Sequence, residues 1–115
     1  MSADSQSRFG LGFGCVMEQL PWVQRSPAMR EKVSQNGERR FRVVEFAAAF
    51  REPNWCTEGH VGYVLAGEID VLVDGQTVTY RKRDVIDLPP GTRHRRNATI
   101  ETTTLFLFET SREIA

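Results

Sequence analysis

Apolar and polar residues follow no sustained period through the first third of the chain, and from Arg39 onward they begin to alternate. Arg40-Phe41-Arg42-Val43-Val44-Glu45-Phe46 alternates imperfectly and runs into Ala47-Ala48-Ala49-Phe50, where both faces are apolar; this predicts a strand covered on both sides. Gly62 to Leu65 and Ile69 to Val73 are rich in β-branched residues, and Asp74-Gly75 ahead of Thr77-Val78-Thr79-Tyr80 carries the chemistry of a tight hairpin. Val85 to Leu88, a turn at Pro89-Pro90-Gly91, and Thr102 to Phe108 extend the series. Many short strands separated by turn residues, with almost no helical period, predict an all-β sandwich or barrel. Phe46, Phe50, Phe106 and Phe108, with Leu105 and Leu107, imply strands lacking a polar face. Such strands are buried sheet on sheet, within the barrel or between subunits, and a homodimer is expected.

The N-terminal third is less ordered in pattern. The first eight residues read as a polar tail, and the alternating Gly10, Gly12 and Gly14 as a flexible arm or edge strand. They lack the preceding strand and following helix of a dinucleotide loop. Pro21 and Pro27 break the next region, and Ser26 to Lys32 is expected to make at most one or two helical turns. The division that results is an arm with edge strands over 1–40, a barrel over 41–110 and a tail over 111–115. At 115 residues the chain has the size of one domain. Lys plus Arg and Asp plus Glu are both 15, so no global field gathers nucleic acid or an anionic membrane. No apolar run approaches the ~20 residues of a membrane span, and the polar start is unlike a signal segment. A soluble, cytoplasmic protein with neither nucleic-acid nor membrane partner is the expectation. Cys15 and Cys56 lie far apart without metal-type CxxC spacing; in a reducing compartment they read as two thiols, with a bridge between them as the alternative.

From Ala48 to Asn97 the residues resemble the cupin superfamily. Asn54 and Cys56 fall on the two histidines of the first cupin motif, His60 on its glutamate and Gly67 on its closing glycine, with Glu68 completing the Tyr-Val-Leu-x-Gly-Glu phrase; Ala48 replaces the opening glycine. Pro89, Gly91 and His94 match the second motif in register. Arg83 replaces its first glycine, the usual Asp follows as Asp84, and Asn97 sits one position early. The fifteen residues between Gly67 and Arg83 match the short spacing of compact single-domain cupins. The resemblance covers roughly Phe41 to Phe108. It implies a double-stranded β-helix, or jelly-roll, barrel, often dimeric, with any site inside the barrel mouth. It does not imply one function, because the fold hosts enzymes, storage proteins and sensors alike.

The substituted positions carry the chemistry. Residues two apart in extended chain share a face, so Asn54, Cys56, Glu58 and His60 could point inward together if the strand ran unbroken, although Gly59 is a place for a bend after which parity need not carry through. With His94, Cys56 and His60 would supply three of the four ligands of a tetrahedral zinc site. Water, Glu58 or Asn54 would take the fourth place. Zn²⁺ is the first guess for the cofactor, with Fe²⁺, Ni²⁺ or Mn²⁺ as alternatives, because the three-histidine, one-carboxylate sphere usual in cupins is absent. The competing reading is a drifted site in which a small Cys and buried His residues merely pack and no metal is bound. Alternation also places Arg96 on the face of His94, where it could clamp a carboxylate or phosphate, or else belong to a solvated basic edge balanced by Glu101 and Asp87.

Two functional readings follow. In one, the barrel binds a divalent metal and acts on or binds a small polar metabolite, with Cys56, His60 and His94 as metal ligands and Asn54, Glu58 and Arg96 toward the ligand. In the other it is a metal-free small-ligand-binding or sensor module with a vestigial metal site. Catalytic residues, and whether the protein is an enzyme at all, stay open at this level.

Overall fold

The computed structural model describes residues 14–98 and 101–110; the expected tails and the residues Gly10 to Phe13 lie outside these. Among the described residues a single 3₁₀ turn at Met17–Gln19 precedes nine strands: β1 (Val23–Ser26), β2 (Met29–Asn36), β3 (Arg39–Phe46), β4 (His60–Ala66), β5 (Glu68–Val73), β6 (Gln76–Arg81), β7 (Val85–Leu88), β8 (His94–Ala98) and β9 (Thr103–Thr110). They form a six-stranded sheet, β1-β2-β3-β9-β4-β7, and a three-stranded sheet, β6-β5-β8. Isolated bridges from Arg51 to Asn97 and from Cys56 to His94 lay the segment before β4 along the free edge of β8. Among the described residues every strand pairing is antiparallel, as the jelly-roll expectation requires.

The period of two decides what faces the interior. Along β9, Thr103, Leu105, Leu107 and Glu109 are buried while the residues between them are half-buried. On β3 the buried set is Arg42, Val44 and Phe46. Pairing of Val44 with Leu105 and of Arg42 with Leu107 keeps these inward rows in step. Across the barrel, Ile69 and Val71 of β5 meet Ile86 and Leu88 of β7 in one apolar cluster that also contains Phe50 and Val64. Ten buried apolar side chains among the described residues make this core, and the inward rows of β3, β4 and β9 leave it at one end of the barrel, where they turn polar.

Asp74 and Gly75 both have positive φ between the paired Val73 and Gln76, the two-residue turn that the dipeptide predicts. Two other expectations are corrected. Ser26 to Lys32 is not helical: Pro27 and Ala28 form the turn of a β1–β2 hairpin, and β2 pairs with β3 along its whole length. Nor does the doubly covered strand continue through Ala47 to Ala49, which are exposed; β3 stops at Phe46, and Ala49 adopts a positive φ of 64° in the turn that follows. Gly62 has a steric reason in the middle of β4. A Cβ there would lie 2.1 Å from the carbonyl oxygen of Phe106, so β4 and β9 approach closely only because this position is glycine. Among the described residues no helix is long and apolar enough to cross a membrane.

Candidate metal centre

The short bridge before β4 builds the site. Cys56 and His94 exchange both backbone hydrogen bonds, each 2.8 Å, so they are directly opposed and their side chains leave the sheet on the same side. The Gly91 amide donates to the Thr57 carbonyl at 2.9 Å, and Gly59 packs so tightly against Pro90 that a Cβ would lie 2.9 Å from its ring. The Pro89-Pro90-Gly91 turn thus pins the chain between Cys56 and His60. After this bend β4 begins with His60 on the inward row of Val64.

The result is a convergence of three side chains. Cys56 is half-buried, His60 and His94 are buried, and one ligand atom from each lies within 4.8 Å of the others. The two imidazoles meet edge to face with ring centroids 5.1 Å apart. His94 Nδ1 is 2.9 Å from the Thr92 carbonyl, which can only accept, so this nitrogen carries the proton and Nε2 keeps its lone pair. His60 Nδ1 is 3.1 Å from a Glu109 carboxylate oxygen, with the same consequence for its Nε2. Both Nε2 atoms are buried without a hydrogen-bond partner. Buried polar atoms normally have partners, and here two acceptor nitrogens lacking one sit beside a thiol. The Glu58 amide donates to Cys56 Sγ at 3.4 Å.

A charged chain runs behind His60. Glu109 accepts from Arg40 at 2.7 Å and from Arg42 at 2.8 and 3.0 Å, Arg42 reaches Glu31 at 2.9 Å, and Glu31 pairs with Arg25 at 2.6 Å. Burial pushes the Glu109 carboxyl up, but hydrogen bonds from His60 and Arg42 outweigh it and hold the group at about 2. Burial lowers His60 below the ordinary histidine value, and the Arg96 and His94 charges add to this against the opposing pull of Glu109. His60 is therefore neutral near pH 7, the form that ligates a metal.

The remaining expected residues are placed differently. Arg96 shares the inward face of β8 as alternation predicts, but its guanidinium is bound to Glu52 at 2.8 and 3.2 Å, and the Arg96 amide donates to the same carboxylate. Glu52, rather than Glu101 or Asp87, balances it. Burial raises the Glu52 carboxyl, yet the bonds and charge of Arg96 bring it below its usual value. Arg96 Nη1 is left buried without a partner. With His60 and six aliphatic side chains, Arg96 lines a cavity of about 10 Å³, space for about one water. Asn54 and Glu58 are exposed and stand outside the convergence. Trp55 points away from Cys56 and carries the Arg93 and Arg95 guanidinium groups at 4.3 and 5.5 Å from its ring centroid. Cys15 and Cys56 are both free thiols.

Fold and site together define a jelly-roll barrel with nitrogen and sulfur donors gathered at its mouth. The Cupin domain model matches residues 52–108, and the chain belongs to the cupin superfamily. Among solved structures it is similar to KdgF from a Halomonas species, with a TM-score of 0.74 and 17% identity over 84% of this chain and 93% of that one. An RmlC-like cupin from Shewanella frigidimarina gives a TM-score of 0.70 and 20% identity over 82% and 86%. A salicylate 1,2-dioxygenase from Pseudoaminobacter salicylatoxidans, in complex with gentisate, gives 0.66 and 18% over 77% of this chain and 27% of that one. At these identities the likeness is one of fold. No curated protein matches the chain.

Proposed function

We propose that the protein binds one divalent metal ion through Cys56, His60 and His94 and uses it to bind or act on a small polar metabolite. The observation that carries this reading is the pair of buried, unpartnered Nε2 atoms on two histidines that converge with the Cys56 thiol. The donor set fits zinc: one sulfur and two imidazole nitrogens leave the fourth tetrahedral place open, as in catalytic rather than structural sites. Iron, nickel and manganese are the alternatives for the same place. The bound ion would supply Lewis acidity toward a substrate oxygen or activate a water. Arg96 supports the reading from the chain's own side, since its unpartnered Nη1 can donate to a water in the small cavity it lines beside His60 while Glu52 holds the guanidinium still. Asn54 and Glu58, exposed on the approach to Cys56, are assigned to contacts with the outer part of the metabolite. The apolar walls behind His60 leave too little space for an organic ligand, so the metabolite sits at the mouth.

Elemental analysis of protein purified without a nickel column tests this. About one equivalent of metal is expected in the native chain, with loss in both Cys56→Ala and His94→Ala. A metal-free native protein that also takes up no added Zn²⁺ would sink the reading and leave the metal-free ligand-binding or sensor module.

We also infer that a second copy of the chain covers the outer face of the six-stranded sheet. Val61, Tyr63 and Leu65 of β4 and Val85 of β7 are exposed, Val85 at 65%, and they continue the half-buried row of Phe106 and Phe108 on β9. A face of this kind can pair with itself about a two-fold axis. Sedimentation should give a dimer for the native chain and a monomer for Tyr63→Lys/Leu65→Lys. A native monomer at tens of micromolar would contradict it.

A further inference from the structure

His94 is oriented by a backbone carbonyl, which any side chain at Thr92 would provide. His60 is oriented by a side chain from another strand. β9 lies between β3 and β4, with Val61 paired to Phe108 and Arg40 paired to Glu109. One step from the Val61 pair, the inward row of β9 ends on Glu109 and that of β4 on His60, and the two meet at 3.1 Å. The carboxylate has no freedom in this contact. One of its oxygens accepts from Arg40 Nε, Arg40 Nη2 and Arg42 Nε; the other accepts from Arg42 Nη2 and faces His60 Nδ1. A group fixed by arginine donors can only accept from the imidazole.

We propose that Glu109 is a positioning residue for the metal centre: it fixes His60 in the Nδ1–H tautomer and aims the Nε2 lone pair at the point shared with Cys56 and His94. This rests on the metal-binding reading, and it assigns a role to a residue outside the three ligands. Buried carboxylates that accept from the far nitrogen of a ligating histidine set its orientation and raise its basicity. Arg40 and Arg42 act one step further out, holding the carboxylate in register.

Glu109→Gln inverts the arrangement with little change of shape. The amide oxygen takes the place that three arginine donors require, which turns the amide NH₂ toward His60 Nδ1. A donor there demands an acceptor, so the imidazole proton moves to Nε2 and blocks the metal-facing nitrogen. In the metal-free native protein, ¹⁵N spectra of the imidazoles are expected to show His60 protonated at Nδ1; in Glu109→Gln they should show Nε2–H. Zn²⁺ or Co²⁺ affinity, measured by chelator competition, should fall about 10- to 100-fold in the variant. Glu109→Asp, which keeps the charge but withdraws it from His60, should lose affinity as well while the arginine contacts survive. A native His60 protonated at Nε2 would overturn the proposal even if Glu109→Gln did not fold, as would a folded Glu109→Gln with undiminished affinity. Absence of metal binding in a native protein that shows the expected tautomer would instead count against the metal-binding reading.

Discussion

Arg42→Ala is expected to lose about 3–5 kcal/mol of unfolding free energy, the cost of leaving buried charge without its partner. Arg42 lies on the inward row of β3 between two carboxylates, Glu109 and Glu31, and all three side chains are almost wholly excluded from solvent. Truncation strands both acids at once. Arg40 still reaches Glu109 and Arg25 still reaches Glu31, but Arg25 is half exposed and returns little of the loss. The melting temperature should fall by more than about 10 °C for a domain of this size, and a loss below about 1 kcal/mol in urea unfolding would show that water relieves the stranded charges. The triple replacement Glu31→Met/Arg42→Leu/Glu109→Met separates stability from function. Such apolar substitutions are often neutral or stabilising, so the triple variant should be more stable than Arg42→Ala. It would nevertheless leave His60 Nδ1 without its acceptor. The buried charges are therefore better explained by what they orient than by what they stabilise.

That network also marks where the sequence could be read and where it could not. The Asp74-Gly75 hairpin follows from local turn chemistry, and Val85 to Leu88 is the strand the pattern predicts. Cys56, His60 and His94 come together because motif spacing carries long-range geometry that no local period contains. Met29 to Asn36 fails the same reading: Met-Arg-Glu-Lys-Val-Ser-Gln-Asn has a helix-compatible composition. Its inward Glu31 makes physical sense only beside Arg42, which belongs to the neighbouring strand. Ala47 to Ala49 looks buried by composition, yet small apolar residues are equally at home in an exposed turn. Glu109 was within reach. Thr103, Leu105 and Leu107 set a period of two whose next member is Glu109, but the apolar run through Phe108 hides it if every residue is counted instead of every second one. Glu52 offered no such signal, because its partner Arg96 lies 44 residues away and the two are brought together by the bridge from Arg51 to Asn97 and the bond from the Glu52 amide to the Arg96 carbonyl.

Acid should unfold the protein in two overlapping steps, and the signs follow from the direction of each displaced group. His60 titrates below 6.5 in the folded chain because burial disfavours its charge, so the unfolded chain takes up a proton first as pH falls past 6.5 and stability begins to decline there. Against the opposing effect of burial, Glu109, through His60 and its arginines, and Glu31 and Glu52, through their arginine partners, are all held below the ordinary value of 4.5. Their stabilisation is fully present above 4.5 and is lost as pH falls through that value toward their folded ones. For Glu109 the distance from 4.5 to about 2 corresponds to on the order of 3 kcal/mol. Urea midpoints measured from pH 7 to pH 3 should decline gently at first and steeply below 4.5. Glu109→Gln, less stable at neutral pH, should show a shallower decline in the lower range because it has no carboxyl there to protonate. Parallel curves for the two proteins below pH 4.5 would mean that Glu109 is not the group responsible. Because the same carboxylate orients His60, metal affinity measured on protein still folded should also weaken once pH falls to the lowered folded value of His60, where a proton competes with the metal for its imidazole.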